Sequence, residues 1–276
     1  MSATERTSGP FQVAQTRATE STRHEQARAH WKIELALWVV GVIIFLLTCI
    51  GMHMHPRPFS FDLSIMQTIQ SWHLGSVLDA IVRLPSVLDD PLWSIVLLSS
   101  WLIFLLMGAI WAWFTHRRAL TWLQNALFLV AIVASGSGVN TLLDILVGRP
   151  RLLAKMYPIR NYEAIVPFPS YPSGHVAHDV IYYGFLLYLS QTKPVRRWKY
   201  YRWLLPLQIL AVIEILLISY SRILMGGHWP TDVLGGYFEG VLWLGLFIFL
   251  YRRATPLQEK WQQRLDQKRG ARHQHA

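Results

Sequence analysis

Three short polar stretches stand at the ends of strongly apolar runs: "GRPRLLAK" at 148–155, "YPSGH" at 171–175 and "SRILMGGHWPTD" at 221–232. Between them they supply Arg149, Arg151, Lys155, Ser173, His175, Arg222, His228 and Asp232. An ionisable group at the centre of a membrane span costs about 2.5–3.5 kcal/mol on insertion scales, so such groups gather around water, a substrate or one another. Guanidinium and ammonium groups beside two imidazoles and one carboxylate suit a phosphate ester.

Each residue type has a role in that chemistry. Phosphoryl transfer rests on positioning and charge stabilisation, and arginine forks match phosphate oxygens in bidentate geometry. Arg151 and Arg222 are therefore expected to hold the equatorial oxygens. Ser173 stands at a predicted helix N-terminus, where its hydroxyl and the amides of Gly174 and His175 can face an anion. A histidine nucleophile needs one ring nitrogen aimed at phosphorus and a partner on the other to fix its tautomer. His228 and Asp232 fit those parts, with Pro230 opening a helix and Asp232 in its first turn. His175 is left to protonate the leaving oxygen and then to take a proton from attacking water.

The elements that must position these residues are membrane helices. Of 276 residues, 53% are apolar and 15% charged, against about 25% charged in soluble domains. Six apolar runs are long enough to read as spans: about 33–53, 91–114, 120–147, 176–191, 203–221 and 231–251. The fourth is the shortest and most polar. Between the first two, Leu63, Met66 and Ile69, then Val77, Ile81 and Leu84, recur at helical spacing, which predicts short amphipathic helices at the interface. The expected fold is an all-α polytopic bundle of six transmembrane helices, comprising a disordered cytoplasmic tail over 1–30, a membrane domain over 31–253 and a basic cytoplasmic tail over 254–276.

The net charge of +10 does not call for a nucleic-acid partner. With the N-terminus cytoplasmic, most of the 26 Lys and Arg residues fall on the cytoplasmic side. Only Arg57, Arg83, Arg149, Arg151, Lys155, Arg160 and Arg222 fall on the other. This asymmetry follows the positive-inside rule and puts both termini in the cytoplasm and all three clusters on the outer face, in what is expected to be a bacterial inner or plasma membrane. Cys49 is the single cysteine, so neither an intramolecular disulfide nor a cysteine metal site is available. Asp179, Glu214 and Glu239 are expected to make structural hydrogen bonds between helices, and Gly236 and Gly240 to let two helices pack closely.

"YPSGH" and "SRILMGGHWPTD", the latter fitting S-R-x5-H-x3-D, resemble the second and third signature motifs of the type 2 phosphatidic acid phosphatase superfamily, which includes membrane lipid phosphatases and vanadium haloperoxidases. The resemblance covers about 33–251. It implies a phosphohistidine intermediate formed without metal or cofactor, with His228, Asp232, His175, Arg151, Arg222, Ser173 and Gly174 in the family's roles. The first motif, K-x6-R-P, departs from the pattern. With its arginine on Arg151, Asp144 stands where the lysine belongs and Leu152 where the proline does; aligned on Arg149-Pro150, Leu142 takes the lysine's place. Lys155 or Arg149 is then the candidate replacement for the missing charge.

The reading is a phosphatase acting on a membrane lipid phosphate or diphosphate, with polyprenyl diphosphate, phosphatidate and phosphatidylglycerophosphate all open as substrates. Two alternatives stand beside it: a lipid phosphotransferase using the same phosphohistidine, and a non-catalytic lipid-binding or transport protein with a degraded site. No motif specifies an oligomeric state.

Overall fold

The structure, a computed structural model, describes residues 10–72, 75–88, 90–115, 117–151, 157–162 and 169–274, with the side chains of 10–30 and 268–274 outside the description. It divides within the first helix into two compact units, residues 1–44 and 45–276. The first unit is the helix α1 (Pro10–Met54) as far as Ile44.

The second unit carries the end of α1 and the helices α2 (Ser60–Ser71), α3 (Gly75–Leu88), α4 (Pro91–Phe114), α5 (Ala119–Val147), α6 (Gly174–Ser190), α7 (Lys193–Arg196), α8 (Leu205–Leu224) and α9 (Pro230–Gln274). Among the described residues, five helical stretches are long and apolar enough to cross a membrane: Trp31–Met54, Pro91–Phe114, Ala119–Val147, Tyr201–Leu224 and Pro230–Gln267. The chain is thus a polytopic all-α membrane protein. The expected fourth span, α6, has 17 residues, or about 25 Å of rise. It packs against α5, α8 and α9 at once, and that enclosure lets it be short and carry Asp179, which is 2% exposed.

Two boundaries differ from the sequence expectation. Residues 10–30, expected to be a disordered tail, continue α1, and α9 runs through the expected basic tail to Gln274. The first of these stretches is rich in Ala, Arg, Gln and Glu and holds neither Gly nor Pro between residues 11 and 30, so nothing local stops the helix. Residues 1–9 lie outside the described residues.

The core sits where α6 meets its neighbours. Leu129 and Ile132 of α5, Ile181 and Phe185 of α6 and Tyr251 of α9 form one buried cluster. Nearer the polar end, Met66, Val176, Ile218, Trp229 and Val233 join α2, α6, α8 and α9. Large apolar side chains such as Leu106, Ile110, Leu216 and Val241 stay exposed, as expected where the surrounding medium is lipid. Closure of α6 on α9 depends on glycine. A Cβ on Gly236 would stand 2.5 Å from the Ser173 carbonyl oxygen, and one on Gly240 would stand 2.7 Å from Val180 Cβ. The small-residue pair read from sequence therefore sets the distance between the helices that carry His175 and Asp232.

Candidate active site

The three polar clusters meet at one end of the bundle. At the end of α5, Gly148 adopts the left-handed conformation (φ 63°) and its N–H closes on the Asp144 carbonyl at 2.9 Å, a helix stop that turns the next residue, Arg149, inward. The chain returns at Ser170, whose N–H donates to the Arg149 carbonyl at 2.9 Å. Ser173 then caps α6, its N–H donating to the Asp232 carbonyl at 3.0 Å. The first helical bond of α6 runs from Ala177 to Ser173, so the amides of Gly174, His175 and Val176 form the open first turn. On the far side, Arg222 occupies the last turn of α8, where a cation opposes the helix dipole. The link to α9 folds back on it, with Gly227 and His228 donating to the Arg222 carbonyl at 3.0 and 3.3 Å. Gly226 is left-handed (φ 76°), and a Cβ there would collide with the Arg160 carbonyl.

The His228 ring is fixed by the main chain. Its Nδ1 lies 2.9 Å from the Ser170 carbonyl oxygen. A carbonyl only accepts, so Nδ1 carries the proton and Nε2 keeps its lone pair. Nε2 is buried and has no hydrogen-bond partner among the described residues. Burial, then the positive charges of Arg151 and Arg222, hold this imidazole well below the usual histidine value, outweighing the Ser170 bond that favours the proton. The ring is therefore neutral and aimed by an external hydrogen bond, as a nitrogen nucleophile requires.

Asp232 takes a different part from the one expected. Its Oδ2 stands 3.9 Å from His228 Nδ1, beyond hydrogen-bond range, because the carboxylate is occupied elsewhere. Oδ2 accepts from the Trp229 N–H at 3.0 Å, while Oδ1 is held by Arg149. Asp232 acts on the imidazole as a nearby negative charge, and the Ser170 carbonyl fixes the tautomer.

His175, on the first turn of α6, faces His228 with ring centroids 6.1 Å apart and planes at 64°. Arg151 and Arg222 lie within electrostatic reach of both imidazoles, and Arg151 Nη1 also donates to the Gly227 carbonyl at 3.3 Å. The Ser173 hydroxyl is wholly buried, makes no side-chain cap, and its Oγ has no hydrogen-bond partner among the described residues. Gly174 has a packing reason beside the chemical one, since a Cβ there would stand 2.5 Å from Asn140 Oδ1.

Arg149 does not fit the expected role of phosphate ligand or lysine substitute. It is 0% exposed, and its guanidinium donates to Pro56 O, Arg57 O, Thr231 Oγ1, Asp62 and Asp232. Those contacts use its five N–H donors. The partner that sequence reasoning missed is Asp62, on the third position of α2 and 0% exposed. The only sequence signal was a carboxylate in the first turn of an amphipathic helix, the ordinary mark of a helix cap. Lys155 lies outside the described residues. Glu239 accepts from Asn140 Nδ2 at 2.8 Å, an interhelical bond of the expected kind.

A sequence profile of the PAP2 superfamily matches residues 125–256, a stretch containing Arg151, Ser173, His175, Arg222, His228 and Asp232. Over that stretch the chain resembles the PAP2 superfamily. The chain is 33% identical over 90 residues to an undecaprenyl-diphosphatase of Sulfolobus acidocaldarius, a stretch covering 33% of this chain and 37% of that protein. The match thus spans little more than a third of that relative. The fold is similar to the crystal structure of a transmembrane PAP2-type phosphatidylglycerolphosphate phosphatase from Bacillus subtilis, with a TM-score of 0.58 over 78% of this chain and 96% of that one, at 20% identity. The departure from the first motif falls at Asp144 with its arginine aligned on Arg151, or at Leu142 with it aligned on Arg149. Asp144 Oδ1 is buried without a hydrogen-bond partner among the described residues, and Arg151, Asp232 and Glu239 are charged neighbours.

Proposed function

We propose that this chain is a membrane lipid phosphate or diphosphate phosphatase that works through a phosphohistidine at His228. The observation that carries the reading is the neutral His228 ring, with Nδ1 pinned as donor to Ser170 and Nε2 unbonded among the described residues, facing His175 across 6.1 Å. The Nε2 lone pair forms the N–P bond as the P–O bond to the lipid alcohol, or to its phosphate, breaks. The departing oxygen keeps the bonding electrons and takes a proton from His175. Water then attacks phosphorus and gives its proton to His175. The P–N pair returns to Nε2 and inorganic phosphate leaves. Arg151, Arg222, the Ser173 hydroxyl and the amides of Gly174 and His175 stabilise the charge on the equatorial oxygens.

The two relatives, one named for a polyprenyl diphosphate and one for phosphatidylglycerolphosphate, support substrates of polyprenyl diphosphate, phosphatidate or phosphatidylglycerophosphate type. The distribution of Lys and Arg supports cytoplasmic termini and a site opening on the outer leaflet of a bacterial inner or plasma membrane. A second reading, transfer of the phosphoryl group to an alcohol, is kept open by the missing lysine of the first motif, whose position Asp144 takes when the motif's arginine is aligned on Arg151.

Purified protein in detergent, given a panel of lipid phosphates with EDTA present and a lipid alcohol added or omitted, tests both. The expected outcome is phosphate release by the wild type, undiminished by EDTA, and none by His228→Ala. Equal release by the two proteins overturns the reading, and a phosphorylated lipid acceptor in place of free phosphate favours transfer.

A further inference from the structure

Arg149 joins two carboxylates from distant parts of the chain. Its Nη2 lies 3.3 Å from Asp62 Oδ2, and its Nη1 holds Asp232 and, at 2.7 Å, Thr231 Oγ1. Asp62 returns the connection: its Oδ1 accepts the Thr231 N–H at 2.9 Å, and its Oδ2 accepts the Thr231 hydroxyl at 2.9 Å and the Phe59 N–H at 3.1 Å. Asp62, Arg149 and Asp232 are each 0% exposed. One guanidinium between two carboxylates leaves the cluster with a formal excess of one negative charge in a poorly solvating interior. The α9 N-terminus offsets part of that excess, since Asp62 takes the Thr231 amide of its first turn and Asp232 the Trp229 amide just before it. The remainder faces His228, whose Nδ1 is 3.9 Å from Asp232 Oδ2.

Attack by Nε2 on phosphorus, with Nδ1 still protonated, makes the ring an imidazolium. On the phosphohistidine reading, we propose that Asp62 is a positioning residue for His228, acting through Arg149 and Thr231. It draws part of Arg149's charge away from Asp232 and locks the Asp232 carboxylate in place. The cluster's spare negative charge is then available when the ring becomes cationic. Without the Asp62 charge, Arg149 neutralises Asp232 alone, and the imidazolium loses its counter-charge.

Asp62→Asn is the test, because the amide oxygen can still accept from Thr231 while one charge is lost. The expected result is a kcat lower by on the order of 10-fold to 100-fold, as for outer-shell partners elsewhere. KM is expected to change little, since Asp62 touches protein alone. The groups facing His228 are Arg151 and Arg149 from the α5–α6 connection, His175 from α6, Arg222 from α8 and Asp232 from α9. With Asp62 neutral their balance is more positive, so His228 is expected to take its proton at a lower pH in the variant than in wild type, followed by histidine ¹⁵N NMR. The steady-state phosphoenzyme level is expected to fall with kcat.

A folded Asp62→Asn protein with wild-type kcat and an unchanged His228 titration overturns the proposal. Should that variant not fold, Thr231→Val carries the test, cutting the hydroxyl contacts to Asp62 and Arg149 while leaving every charge. A fall in kcat at constant KM is expected there, and an unchanged kcat overturns the proposal. The outcome is separable from that of the parent reading. An inactive His228→Ala beside a fully active Asp62→Asn sinks this inference alone, whereas an active His228→Ala sinks the phosphohistidine.

Discussion

His228 Nδ1 lies 2.9 Å from the carbonyl oxygen of Ser170. That single bond decides which nitrogen of the ring holds the proton, and Ser170 is itself tied to Arg149, which anchors the first polar cluster. The tautomer of the His228 ring thus depends on a main-chain group from the α5–α6 connection.

Histidine ¹⁵N NMR reads this directly. As pH falls through 6.5, solvent-exposed histidines take up protons, while His228 is expected to remain the neutral Nδ1–H tautomer to well below that value, because burial and then Arg151 and Arg222 oppose its charging. Unfolded chains bind the proton that the folded site refuses, so this residue's contribution to stability declines as pH drops below about 6.5. The acid limb of kcat/KM that reports His228 is likewise expected below 6.5. A His228 signal protonating near 6.5 in the folded protein contradicts the geometry.

The two arginines of "GRPR" separate by phenotype. Arg149→Met leaves two buried carboxylates without their cation and is expected to cost about 3–5 kcal/mol of stability, seen as poor recovery and a lower thermal midpoint. Arg151→Met is expected to keep the wild-type midpoint and lose activity, since Arg151 is half-buried and faces the imidazoles. Thermal unfolding and kcat/KM on both variants check the contrast.

His175 is expected to show leaving-group dependence. An ester whose alcohol departs without a proton bypasses the acid step, so His175→Asn retains phosphoenzyme formation on p-nitrophenyl phosphate while its hydrolysis slows by roughly 10²-fold to 10⁴-fold. On a lipid monoester both steps fail. Rapid-quench trapping of the labelled enzyme distinguishes the cases.

Gly236→Ala puts a methyl group 2.5 Å from the Ser173 carbonyl oxygen. The neighbour is backbone and cannot swing aside, so α6 and α9 must separate. The expected cost is about 1–3 kcal/mol, with a fall in kcat because His175 and Asp232 ride on those two helices. A thermal midpoint and a turnover number together measure both effects.

Much of this was legible in the chain itself. Apolar runs long enough for a bilayer specify membrane helices with little help from context, because the medium leaves few other ways to satisfy the backbone. "PSGH" and the S-R-x5-H-x3-D block named Ser173, His175, Arg222, His228 and Asp232, because helix ends with fixed spacing impose local order on the side chains they carry. Pro230 and Asp232 fell as expected in the first turn of α9. What the sequence could not assign was who bonds to whom across the bundle. Arg149 and Arg151 are chemically identical and two residues apart, yet the left-handed turn at Gly148 sends one to two buried carboxylates and leaves the other facing the imidazoles. Asp62 lies 87 residues from Arg149, and only the packing of α2 against α8 and α9 brings it there. Local spacing determined which residues stand at the candidate site; the long-range closure of helices, which no short-range pattern encodes, decided their hydrogen-bond partners.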